Sequence, residues 1–344
     1  MNEKKERIIL DVAYQPQVRT EVNTRRIMLD VLIALLPAVC VAVYQFGSHA
    51  LLVMATSVTS AVFFEWLYRK FTKKTASIDD LSAVVTGLLL ALTMPANCPA
   101  WIPVVGTFFA IVVVKQLYGG IGKNFLNPAL AGRAFLLASY STALSGSYLV
   151  PRGLKNAVDA VTMATPLSVL YGEGSMPAIY TVKSMFLGNM PGALGEISTL
   201  ALLAGGVYLL CRKVITWHIP VSFLGTVFVL SLLFGNSQMS QGAYAVYALL
   251  SGGLMLASIF MATDYATSPV TLKGQLLYGF GCGVLTVLIR KFGSYPEGVT
   301  YAILIMNLCS WAIDKAFHRH QFGVTKEDIE AQKAAKKAAK EAAK

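Results

Sequence analysis

The chain has 344 residues, 55% of them hydrophobic and only 14% charged, with a formal net charge of +11. Its mean hydropathy is +0.59. Soluble domains average about 45–50% apolar and about 25% charged residues, so this balance excludes an ordinary soluble domain. It also excludes a disordered chain, which needs the opposite composition. A polytopic membrane protein remains, and the placement of the charges must decide whether +11 reflects an anionic partner or topology.

The first 26 residues are polar and have no apolar core, so they do not read as a signal peptide. Ten apolar runs follow, at about 27–46, 48–68, 80–94, 100–118, 128–141, 196–211, 216–234, 240–262, 274–290 and 298–314. The third and fifth are the shortest and are ended by Gly or Pro. Short or broken segments at matching places in two halves point to a transporter-like plan. Residues 86–95 (TGLLLALTMP) and 252–261 (GGLMLASIFM) are weakly alike, and each falls at the third span of its half. Five spans per half would make the repeat inverted. The expected fold is therefore an all-α polytopic membrane protein of about ten transmembrane helices, in two inverted five-helix repeats.

With the N-terminus placed inside, 23 of the 29 Lys and Arg fall on the inner side, five on the outer, and Arg133 within a span. That bias is the positive-inside pattern, with both termini cytoplasmic. Arg133 lies roughly 7–8 Å into the fifth run at 1.5 Å per residue. It reads either as a functional intramembrane charge or as a snorkelling one. The chain divides into an N-terminal segment (1–26), a first membrane half (27–141), an extracytoplasmic loop (142–195), a second half (196–316) and a basic cytoplasmic tail (317–344). The loop is far longer than the usual connection of about 4–6 residues. It retains Tyr148, Leu167, Leu170, Tyr171, Tyr180 and Phe186, which reads as an ordered, functional segment. The tail opens with a capping-box variant at Thr325 and continues as an Ala/Lys helix suited to contact with acidic lipid. Nothing couples it to a nucleic-acid-binding fold.

Other chemistries find little support. Cys40, Cys98, Cys211, Cys282 and Cys309 have no metal-ligand spacing, and they read as buried packing. His49, His218, His318 and His320 have no nucleophile partner nearby, and no phosphate-binding glycine motif occurs. No metal site is expected.

The distinctive stretch is Asp159-Ala160-Val161-Thr162-Met163-Ala164-Thr165-Pro166-Leu167 in the long loop. A Thr before Pro is pushed to extended backbone, which presents its hydroxyl; an Asp/Thr turn is the blander reading. On the inner side, the loop to Asn127 carries Gly119, Gly120 and Gly122, where backbone can approach a ligand. Asn124 and Asn127 offer amides of the kind that match an isoalloxazine edge, or else cap a tight turn. Asp264 follows the eighth run beside Thr263, Thr267 and Ser268, and reads as a cation or flavin ligand or as a cap.

The DxxTxATPL stretch resembles the flavin-attachment motif of a family of membrane redox proteins. That family comprises the D subunits of the Rnf ion-translocating ferredoxin:NAD oxidoreductase and the B subunits of the sodium-translocating NADH:quinone reductase. The resemblance extends to Thr24-Arg25-Arg26 leading into IMLDVLIALLPA (27–38), LTMP (92–95), KQLYGGIGKNFLNPALAGRAF (115–135) and MATDYATSPVT (261–271), and it fits the D subunits better. It implies FMN joined as a phosphoester to Thr165 by a flavin transferase, with Asp159, Thr162 and Ala164 completing the motif. Met163 departs from the Gly or Ser usual there. It further implies a second, non-covalent flavin, riboflavin, near Asn124, Asn127 and Asp264. Expected partners are the complex's iron–sulfur, NAD-binding and second flavin-bearing chains, in a bacterial cytoplasmic membrane, with coupling to Na⁺ or H⁺ movement. A ten-helix channel or transporter without a redox cofactor is the alternative.

Overall fold

The computed structural model describes residues 23–73, 78–145, 148–154, 162–172, 177, 179–235, 239–293 and 297–317. The N-terminal segment to residue 22, Asp159, His318, His320 and the tail helix lie outside them.

Helices occur at each of the ten apolar runs. They are α1 (Thr24–Phe46), α2 (Ser48–Phe71), α3 (Ser82–Leu92), α4 (Trp101–Gln116) and α5 (Pro128–Ser139) in the first half. Between the halves lie α6 (Ser141–Ser145), α7 (Pro166–Tyr171) and α8 (Val182–Leu187). The second half holds α9 (Thr199–Cys211), α10 (His218–Leu233), α11 (Gln241–Leu250), α12 (Leu254–Met261), α13 (Leu272–Phe292) and α14 (Val299–Ala316). Two short strands, β1 (Tyr148–Leu149) and β2 (Thr162–Met163), pair antiparallel with Tyr148 opposite Met163. Among the described residues, α1, α2 and α13 are long and apolar enough to cross a membrane, and the α11–α12 pair makes a fourth if counted as one span.

The eighth run is not one helix. α11 and α12 meet at a 65° bend. Gly252 at that bend has φ +74°, a conformation that favours glycine. The latter parts of α4 (Phe109–Gln116) and α12 (Ala257–Met261) are wound as wider π-helix, a form that recurs at functional sites.

Small residues set the helix contacts. A Cβ at Gly87 of α3 would stand 2.9 Å from both the Ala61 Cβ and the Ser57 carbonyl of α2. The Ser57 hydroxyl donates to the Gly87 carbonyl at 2.6 Å across the same contact. Gly279 on α13 similarly admits the α10 backbone, with the Ile219 carbonyl 2.8 Å from a Cβ placed there. Close backbone approach through small residues is how helices associate where lipid removes the usual hydrophobic drive. The outward faces keep apolar groups, among them Leu36, Leu51, Phe63, Val221 and Trp311. Three of the five cysteines, Cys40, Cys211 and Cys309, share that exposed surface rather than the core expected for them. Apolar composition alone cannot tell a lipid-facing position from a buried one. Cys98 is buried, and burial pushes its thiol up to about 12, which keeps it inert.

Residues 191–198, mostly part of the long inter-half segment, are buried throughout. Their backbone runs against the end of α3: the Leu194 N–H donates to the Met94 carbonyl at 2.9 Å and the Gly195 N–H to the Leu92 carbonyl at 2.7 Å. The last carbonyls of a helix have no partner within it, and the Gly195 N–H satisfies that of Leu92.

Candidate functional site

The Thr165 region is built by caps and tyrosine hydroxyls. Thr165 has φ −73° and ψ 153°, the extended backbone its following Pro dictates. The hydroxyl is not simply displayed, however. It accepts from the Ser168 N–H at 3.2 Å as the cap of α7, lies 3.2 Å from the Ser168 hydroxyl, and the residue is only 9% exposed. Pro166 occupies the first helical position, where its missing N–H costs nothing. Ala164 is held by the Tyr180 hydroxyl, which donates to its carbonyl at 2.7 Å. Burial pushes the Tyr180 phenol up from its ordinary value, so the group stays protonated and keeps donating. Tyr247 of α11 donates in turn to the Tyr180 carbonyl at 2.8 Å. Leu167 is buried and Thr162 is exposed. Thr162, Ala164 and Thr165 therefore lie on one short stretch between β2 and α7. That stretch fits a phosphoester on Thr165: the added oxygens are acceptors and can take over the Ser168 N–H.

A second place lies among α1, α3, α5 and the segments after α4 and α12. It is a cavity of about 370 Å³ whose lining includes Met28, Lys115, Gly122, Asn124, Asn127 and Asp264. The size falls within the range of small-molecule sites, and a mostly apolar wall with a few polar groups is their usual make-up. The three residues singled out for a second ligand are thus brought together. Their chemistry differs in availability. The Asn127 amide is engaged at both ends: its Oδ1 caps α5, accepting from the Ala129 and Leu130 N–H groups, and its Nδ2 donates to the Met261 carbonyl at 3.1 Å. The Asn124 Nδ2 donates to the Leu126 carbonyl at 2.9 Å, and its Oδ1 makes no hydrogen bond among the described residues. Asp264 accepts from the Thr267 hydroxyl at 3.3 Å, so capping and cavity lining coexist in it. Burial pushes its carboxyl up from its ordinary value, opposed by the Ala266 N–H and the Thr267 hydroxyl. An Asn124 carbonyl, an Asp264 carboxyl and a Lys115 ammonium around an apolar slot suit the polar edge of a planar heterocycle such as a flavin.

Two basic residues are held in ion pairs: Lys115, read on the inner side, and Arg133, read within a span as either a functional or a snorkelling charge. Lys115 is buried, its ammonium 2.8 Å from Glu65 and 2.5 Å from the Ser82 hydroxyl, while Gln116 donates to the other Glu65 oxygen at 2.9 Å. Arg133 does not snorkel. Its guanidinium pairs with Glu297, just before α14, and the Tyr148 hydroxyl shares its proton between the Leu144 carbonyl at 3.1 Å and that carboxylate at 3.4 Å. Glu65 was the readable signal missed in sequence, a lone acid inside an apolar run. No cluster of three or more His, Cys, Asp or Glu that could hold a metal occurs among the described residues.

A mostly helical protein with candidate membrane spans, an internal ligand-sized cavity and buried ion pairs is a polytopic integral-membrane protein. Residues 11–323 match the NQR2, RnfD, RnfE family, and the chain belongs to it. It is 47% identical over 319 residues to the D subunit of the Na(+)-translocating ferredoxin:NAD(+) oxidoreductase complex of Acetobacterium woodii, covering 92% of this chain and 96% of that one. It is 41% identical to the D subunit of the proton-translocating ferredoxin:NAD(+) oxidoreductase complex of Clostridium ljungdahlii, with the same coverage. The D subunit of the ion-translocating oxidoreductase complex of Escherichia coli K12 is 35% identical over 342 residues, 89% of this chain and 96% of that one. Within the family, the resemblance therefore falls on D subunits.

Proposed function

We propose that the chain is the membrane-embedded, electron-transferring D subunit of an ion-translocating ferredoxin:NAD oxidoreductase complex, with FMN held covalently on Thr165. The observation that carries the cofactor assignment is the Thr165 stretch itself: an extended Thr-Pro junction whose hydroxyl is anchored to Ser168 and whose neighbour Ala164 is fixed by Tyr180. The bound flavin supplies one- and two-electron redox chemistry. The chain's own part is placement. α7 fixes Thr165, and Tyr180 and Tyr247 tie the stretch to α11. The segment 142–195 belongs on the extracytoplasmic side in this reading, with ten helices in two inverted halves and both termini in the cytoplasm.

The 370 Å³ cavity is the site we assign to a second, extractable flavin such as riboflavin. Gly122, at φ +79°, lets backbone come close there, and Asn124, Lys115 and Asp264 supply polar contacts. Other chains of the complex carry the iron–sulfur clusters and the NAD site. A flavin transferase loads Thr165.

The test is in-gel fluorescence of denatured protein produced with a matching transferase. A fluorescent band that disappears in Thr165→Val and persists in Thr165→Ser supports the assignment. A dark wild-type band overturns it and leaves the channel or transporter reading.

A further inference from the structure

A second, much smaller cavity of about 20 Å³ lies where the end of α3, the middle of α5, the buried 193–196 segment and the starts of α12 and α14 converge. Its lining includes Thr93, Arg133, Glu196, Glu297 and Thr300. That volume is enough for a single water-sized guest.

The charges around it are unequally matched. Arg133 is committed to Glu297, and the Tyr148 hydroxyl lies within reach of both that carboxylate and the Leu144 carbonyl. Glu196 is 5% exposed, and the one hydrogen bond to its carboxylate among the described residues is from the Ala193 N–H at 3.3 Å. Arg290, the other buried guanidinium that acts on it, gives its two terminal nitrogens to the Ala248 and Ser251 carbonyls, while its Nε is unpaired and the group forms no ion pair among the described residues. Thr300 is 4% exposed, lines the cavity and makes no hydrogen bond among the described residues. Thr93 gives its proton to the Leu90 carbonyl, which leaves its oxygen lone pairs toward a cation. A carboxylate so buried, with a single long backbone donor, is strongly disfavoured in its bare ionised form.

We propose that Glu196 holds one exchangeable monovalent positive charge, a proton or an alkali-metal ion, in this cavity, with the Thr93 and Thr300 oxygens as its neighbours. Hard cations take oxygen ligands of this kind, and a carboxyl in the same place takes a proton instead. The site needs no flavin on Thr165, so either assignment can fail without the other.

The experiment is thermal unfolding of the full-length chain in detergent. Wild type and Glu196→Gln are compared in sodium chloride and in choline chloride at equal ionic strength, from mildly acidic to mildly alkaline pH. For an alkali-metal ion, sodium raises the wild-type Tm above choline and leaves Glu196→Gln unmoved. For a proton, sodium has no effect, the wild-type Tm falls as pH rises, and Glu196→Gln stays flat because the amide mimics the protonated acid. A wild type responsive to neither, or a variant that responds as the wild type does, overturns the proposal. If Glu196→Gln does not fold, Thr300→Val replaces it. Loss of the cavity hydroxyl moves the sodium half-saturation or the pH midpoint at least threefold in concentration, and an unmoved midpoint overturns the assignment.

Discussion

The Lys115 ammonium of α4 lies 2.8 Å from the Glu65 carboxylate of α2, with side-chain exposures of 3% and 0%. The pair bridges two helices of the first half beside the larger cavity; Ser82 accepts from the ammonium and Gln116 donates to the carboxylate. Such a pair contributes little net stability while intact, because burying both charges offsets their attraction. Breaking it is different. Lys115→Met takes the ammonium away from a buried carboxylate that keeps its Gln116 donor, and should cost roughly 3–5 kcal/mol. Lys115→Met with Glu65→Leu should cost much less than the two single changes together. Thermal unfolding in detergent around this double-mutant cycle checks it; additive losses would contradict the coupling.

Gly87 and Gly225 offer a paired test of helix packing. A Cβ at Gly87 meets Ala61 and Ser57 at 2.9 Å, whereas nothing lies within 4 Å of one at Gly225. Gly87→Val should therefore destabilise by about 1–3 kcal/mol through overpacking and separation of α2 from α3. Gly225→Ala, in α10, should be neutral or stabilise by up to about 1 kcal/mol through helix propensity. Equal Tm shifts in the two variants would show that the α2–α3 contact is not a close one.

Much of this was readable before the fold. Apolar run length located each long helix, because the runs are bounded by charge, Gly or Pro. The break in the eighth run also had a local signal, Ser251 followed by Gly252 and Gly253, yet its 65° angle depends on packing. What sequence could not provide was partner choice. Arg133 and Glu297 stand 164 residues apart, and nothing local says that α5 and the segment just before α14 meet. The same holds for the cavity: Asn124 and Asp264 are far apart in sequence, and only the fold puts them on one wall. The capping role of Thr165 was missed for another reason. Its Pro fixes the backbone, but the partner of its hydroxyl depends on whether α7 forms.

Tyr180 gives a graded test of the Thr165 site. Its hydroxyl holds the Ala164 carbonyl at 2.7 Å and touches no part of Thr165 that a flavin would use. Tyr180→Phe should cost about 1 kcal/mol locally, the net worth of one hydrogen bond. Covalent flavin loading should slow severalfold at limiting transferase without being abolished, as a time course of in-gel fluorescence would show. Complete loss would mean that the tyrosine is recognised directly, and an unchanged rate would mean that the stretch is rigid without it.

The larger cavity separates extractable from covalent flavin. Val31 of α1 lines it and is half-buried, so Val31→Trp can place an indole into the space while leaving the helix register intact. Extractable flavin should fall, with affinity weakened at least about tenfold, or roughly 1.4 kcal/mol. Fluorescence at Thr165 should be untouched, since the two places share no lining residue. Asn124→Ala is the companion change: its free Oδ1 is removed and only the bond to the Leu126 carbonyl goes with it. Asn127→Ala is a poorer probe, because it also removes the α5 cap, a loss of about 0.5–2 kcal/mol on its own. Flavin counted per chain, after acid extraction and again in the washed precipitate, checks all three. Unchanged extractable flavin in both Val31→Trp and Asn124→Ala would remove the second flavin from this cavity.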